Sequence, residues 1–131
     1  MVAVILLVIS TVALGQFALY YSRAVMAGVA SSQPVSDRLR LAAGIEATSI
    51  GPTDFNAVLS VNEMAPGLHG PCGPMRLVRT YYALVAGLGR VLPALAAWSE
   101  QEMTLCSRYV AVLVDQRLEQ NLACAAEMRS V

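Results

Sequence analysis

MVAVILLVISTVALGQFALYY, residues Met1–Tyr21, decides the architecture, because no charged side chain occurs before Arg23. A hydrocarbon core about 30 Å thick, crossed at about 1.5 Å per helical residue, requires roughly 20 apolar residues. This stretch has that length. Its polar members Ser10, Thr11 and Gln16 are uncharged, and the two hydroxyls can hydrogen-bond back to their own helix. Phe17, Tyr20 and Tyr21, with Arg23 just beyond, follow the order of a membrane interface, aromatic rings at headgroup depth and then a cation. The sequence therefore predicts one spanning helix, extended by Ala24–Ala30, over residues 1–30.

Two rivals compete for the same segment. Ala13-Leu14-Gly15 fits a small-x-small cleavage site, so the alternative is a secreted or periplasmic helical binding module released after Gly15. Against it, no Lys or Arg precedes the apolar run, which continues to Leu19. A buried core helix would show a polar face within 14 residues, and Met1–Leu14 shows none. Arg23, Arg38 and Arg40 all follow the span. The positive-inside rule then sets the N-terminus outside and the remaining chain in the cytoplasm, at an inner or plasma membrane. Three cysteines, Cys72, Cys106 and Cys124, suit a reducing compartment.

Working outward, the 131-residue chain is 56% hydrophobic and 14% charged, against about 25% charged in ordinary soluble domains. That composition excludes disorder and leaves room for one small domain after the span. Nine arginines balance nine acids, so there is no basic field for nucleic acid. The absence of lysine beside nine arginines suggests a GC-rich bacterial genome.

The remainder reads as all-α, with no strand-like alternation and no repeat. Ser31–Ser36 is a linker stopped by Pro34. A helical domain over 37–131 follows. Ser36 or Asp37 caps a helix over 37–49, ended by Gly51-Pro52. Thr53 caps another over 54–64, with Phe55, Val58 and Leu59 as its apolar stripe. APGLHGPCGP, residues 65–74, is a loop. Helix resumes over 75–88, and Gly87, Gly89 and Pro93 then impose a turn or a kink. From 92 to 129 no Gly or Pro interrupts one long C-terminal helix. Trp98, Leu105 and Val112, with Leu95, Tyr109 and Leu113, supply its face to bury, while Glu100, Glu102, Asp115, Glu119 and Glu127 occupy the rest. A second span over 80–99 is opposed by Gly87, Gly89, Pro93 and the central Arg90, which costs about 2.5 kcal/mol or more at mid-bilayer. An amphipathic segment on the membrane surface fits that stretch better.

Chemistry-bearing residues are sparse. His69 and Cys72 form His-x-x-Cys in the loop, and the other possible zinc ligands, Cys106 and Cys124, lie 18 residues apart on one helix, about 27 Å along its axis. No metal site, cofactor or catalytic set is expected. A triad or Cys-His pair must use His69, the only histidine, and no GxSxG elbow accompanies it. Lysine is absent, which removes Schiff-base and P-loop chemistry, and no small-molecule substrate is evident.

Charge placement is more informative. No acid lies between Glu63 and Glu100, where Arg76, Arg79 and Arg90 stand with Tyr81, Tyr82 and Trp98. Arg76, Arg79, Arg90, Tyr81 and Tyr82 are the candidate contacts with anionic headgroups or an acidic partner surface, each cation contributing on the order of 1 kcal/mol near such a membrane. The competing reading pairs these arginines internally with acids of the last helix. Thr11-x-x-x-Gly15 permits close approach of a second helix in the bilayer. The expectation is a non-enzymatic single-pass membrane protein, an accessory subunit or scaffold, with lipid and a protein partner or homo-oligomer as its contacts.

Overall fold

The computed structural model describes residues 1–46, 49–64 and 73–130. Five α-helices and one 3-10 turn follow in order, with no strand among the described residues. They are α1 (Val2–Ser32), α2 (Asp37–Ala43), α3 (Phe55–Met64), α4 (Gly73–Val91), the 3-10 turn Pro93–Leu95, and α5 (Ala96–Ser130).

One helix among the described residues is long and apolar enough to cross a membrane, and it is α1. No residue of its most apolar stretch is buried in the protein, which separates it from a buried core helix. From Leu19 onward α1 flanks the helical body, and Met26 is buried there. Gln33 is extended, and Pro34 follows it.

The body is built on α5, which at 35 residues is about 52 Å long. The tail of α1, then α2, α3 and α4, all pack on its first two-thirds. Leu39 from α2, Phe55 and Val58 from α3, and Cys106, Val110, Ala111 and Val114 from α5 form the sealed centre. Full burial of each large aliphatic or aromatic side chain stabilises by about 1.5–3 kcal/mol. Tyr82 of α4 closes this core, its ring stacked on Phe55 at 4.0 Å and its hydroxyl donating to the Pro52 carbonyl at 2.7 Å. Residues 122–130 of α5 run past the body with both faces exposed.

Several boundaries differ from the sequence expectation. The helix expected over 37–49 stops at Ala43, because Gly44 takes the left-handed conformation (φ +68°). Its N–H and that of Ile45 then close on the carbonyls of Leu41 and Arg40, a glycine stop no β-carbon would favour. Ser36 does cap α2, its hydroxyl accepting from the Leu39 N–H at 3.4 Å. Thr53 is not the cap of α3. Asp54 precedes that helix, and its carboxylate accepts from the Gly51 N–H at 2.8 Å to fix the turn.

The helix expected over 75–88 begins earlier, at Gly73, and runs through Gly87 and Gly89 to Val91. A proline in the first turn is tolerated because amides there have no intrahelical partner. The chain reverses at Leu92, which is extended, and Pro93 opens the 3-10 turn. The long helix therefore begins at Ala96 rather than 92. Glycine at 89 has a packing reason. A β-carbon there would lie 2.8 Å from Ser99 Cβ and closer still to Ser99 Oγ, so α4 and α5 could not approach as they do.

The face α5 buries differs in part: Val112 is buried, and Leu105 and Tyr109 pack on the core, as the sequence predicts. Glu102 and Asp115 are buried, while Trp98 is exposed. The buried row runs Ser99, Glu102, Cys106, Val110 and Val114, and the two acids are admitted because each holds a partner from another helix or its cap.

Candidate functional site

Three helices meet where α1 leaves its apolar stretch. Glu102 on α5 is 1% exposed and lies in the buried row, four residues before Cys106. Arg23 of α1 brings Nε to 2.7 Å from Glu102 Oε1. The contact is an ion pair rather than an aligned hydrogen bond, since Oε1 receives no well-directed N–H. Tyr81 of α4 donates its hydroxyl to Glu102 Oε2 at 3.0 Å. One carboxylate thus ties the base of α1 to both helices of the α4–α5 hairpin.

A second clasp lies farther along α5. Asp115 accepts from the Ser36 N–H at 2.9 Å through Oδ2 and from the Ser36 hydroxyl through Oδ1. Ser36 in turn caps α2, so Asp115 fixes the start of that helix on the body. Both clasps join residues 79 apart in sequence, Arg23 with Glu102 and Ser36 with Asp115. The chain leaving the apolar stretch of α1 therefore runs parallel to α5. Tyr81 against Glu102, with Gly89 against Ser99, makes α4 antiparallel to both.

Beside the first clasp lies an open apolar groove of about 390 Å³. Leu19, Val25 and Met26 of α1, Leu77 and Val78 of α4, and Tyr109 of α5 line it. Leu77 stands 73% exposed on its rim.

The titratable groups here are poor nucleophiles and acids near neutrality. Burial, then the hydrogen bond and charge of Glu102, push the Tyr81 phenol up to about 12. Burial and the Glu102 charge push the Cys106 thiol up to about 12 as well, and burial raises Tyr82. Each protonated form is favoured by the fold. As pH rises through the ordinary thiol value of 9.0 and phenol value of 10.0, the unfolded chain loses these protons first. Stability therefore falls from about pH 9 towards 12. In detergent melts, Cys106→Ala flattens the start of that decline and Tyr81→Phe its upper part. At pH 8, native alkylation followed by peptide mapping modifies exposed Cys124 and spares buried Cys106.

The arginine and tyrosine contacts expected from the sequence do not form one patch. Tyr81 is taken into the clasp and Tyr82 into the core. Arg79 stands 3.8 Å from Glu63 of α3, both side chains exposed. Arg76 and Arg90 make no ion pair among the described residues and lie at opposite ends of α4. Of the acids on α5, only Glu102 takes up an arginine among those residues, and that arginine is Arg23. His69 and Cys72 lie outside the described residues. Among the described residues no three His, Cys, Asp or Glu side chains gather as ligands.

The sequence reading missed Glu102 and Asp115 as anchors, although a signal was present. Glu102 sits at helical spacing within an apolar row containing Cys106, Val110 and Val114, where an unpaired carboxylate would not be tolerated. Comparison with known proteins finds no matching family, no matching curated protein and no matching solved structure.

Proposed function

We propose that this chain is a single-pass membrane protein, N-terminus out, whose cytoplasmic helical body acts as a non-enzymatic accessory subunit or scaffold. The groove between α1, α4 and α5 is the observation that carries the reading. It begins at Leu19, within the apolar stretch, and ends below it at Leu77 and Tyr109. A ligand following it passes from lipid into the headgroup region, the path of a juxtamembrane helix of another membrane protein. The groove is apolar, open and concave, and it flanks a clasp that fixes its three walls rigidly.

A photo-crosslinking residue at position 77, in the full chain in native membranes, tests this. The expected result is one discrete adduct that co-purifies stoichiometrically after mild detergent extraction and is lost in Val25→Asp. Because Val25 is exposed, that substitution leaves the melting temperature unchanged. A detergent-stable monomer with no adduct overturns the reading. Intact mass decides against the released alternative when residues 1–15 are retained.

A further inference from the structure

From the register of the helices we infer that the tip of the α4–α5 hairpin is a second membrane-seated element, inserted at the acyl–headgroup boundary beside the span. This inference rests on the reading of Val2–Tyr21 as membrane-spanning. The parallel clasps give the height of the tip. With Arg23 level with Glu102 and α1 parallel to α5, Leu95 and Trp98 come about level with Gln16 and Leu19. Those positions are inside the apolar stretch of α1. A bilayer that covers Met1–Tyr21 therefore reaches the hairpin tip too.

The tip is built for that medium. Leu84, Leu88, Val91, Leu92, Leu95 and Trp98 are all exposed on it, six large apolar side chains with no acid among them. Water would face this whole cluster if the bilayer did not. Part of its backbone is satisfied within the turn itself. The Leu92 N–H bonds to the Leu88 carbonyl and the Leu95 N–H to the Leu92 carbonyl, each at 2.9 Å. Ala96 donates to the Pro93 carbonyl, and Pro93 has no N–H to satisfy.

Arg90 is the one charged residue of 80–99. Its long side chain, without an ion pair among the described residues, can reach a lipid phosphate from the boundary while its methylenes stay among acyl chains. Arg76 lies at the far end of α4, below the level of the clasp, and Arg79 is beside Glu63. Of the three arginines in the acid-free stretch, the lipid contact belongs to Arg90. Trp98 sits where an interfacial aromatic belt requires one.

Trp98 is the only tryptophan, so its own fluorescence reads the environment of the tip. The full chain is reconstituted into vesicles of phosphatidylcholine and phosphatidylglycerol, with or without bromine on the upper acyl carbons. The expected result is blue-shifted Trp98 emission that is largely lost with brominated lipid and resists aqueous iodide. Val91→Asp with Leu84→Asp, both at exposed positions, reduces bromine quenching while the detergent melt is unchanged. Emission quenched by iodide and insensitive to bromine overturns the inference. So does blue-shifted emission insensitive to both, the sign of a second copy covering the tip. Flotation of the same vesicles under alkaline carbonate separates the two readings. A protein that floats with a water-exposed Trp98 keeps its span and loses only the tip, whereas one that does not float has lost the span.

Discussion

Arg23→Leu will destabilise the helical body by about 3 kcal/mol, measured by denaturant melts of the full chain in detergent micelles. The substitution strands Glu102, whose side chain is 1% exposed, without its cation. Removing one member of a buried pair costs about 3–5 kcal/mol because the remaining charge cannot be hydrated. Arg23 itself is half exposed, so the lower end of that range applies. The same logic makes the loss recoverable. In Arg23→Leu/Glu102→Gln, the neutral amide still accepts from the Tyr81 hydroxyl and no buried charge is left. The double variant should regain most of the lost stability, giving a coupling well above the few tenths of a kcal/mol seen between independent sites. Additive effects would mean that Arg23 and Glu102 do not act as a pair. The consequence is also mechanical, since this pair fixes α1 to the body.

Gly87→Ala and Gly89→Ala will shift stability in opposite directions, although both replace a glycine in the same helix. Intrinsic propensity favours alanine in each case by about 1 kcal/mol. At Gly87 a β-carbon meets nothing within 4 Å, so that gain is realised. At Gly89 the new methyl would lie 2.8 Å from Ser99 Cβ. The hairpin must then open by a few tenths of an ångström or more, and overpacking of this kind costs about 1–3 kcal/mol. The propensity gain is common to both, so the net spread between the two variants is the overpacking cost, about 1–3 kcal/mol in thermal or denaturant melts. Ser99→Gly in the Gly89→Ala background removes the obstructing side chain and narrows the difference. Equal stabilisation by both alanines would show that α4 and α5 do not approach closely at the tip.

The architecture was legible wherever one helix reports on itself. Met1–Tyr21 declares its length and apolarity locally, and the uninterrupted run after Pro93 declares a long helix. Ser36 reads as a cap for the same reason, since its partner at Leu39 is three residues away. What depends on two distant segments was not legible. Glu102 looks like a solvated residue until Arg23 and Tyr81 arrive from other helices. Gly89 looks like a helix breaker until Ser99 lies against it. Periodicity placed Val112, Leu105 and Tyr109 on the buried side of α5 but failed at its start, because it ranks side chains by apolarity and cannot see that a partnered Glu102 is buried while Trp98 is exposed. The three arginines of α4 form a patch in sequence only, since helical geometry and Glu63 separate them.

The parallel run of α1 and α5 has a consequence for distance. From the level of Arg23, α5 continues for 28 residues to Ser130, a rigid reach of about 42 Å. Its last turns, with Leu122 and Met128 uncovered, are carried at a constant distance from the apolar end of α1 rather than on a tether. Tilting α1 by a few degrees would sweep that far end sideways, so the rod converts the attitude of α1 into lateral displacement about 42 Å away.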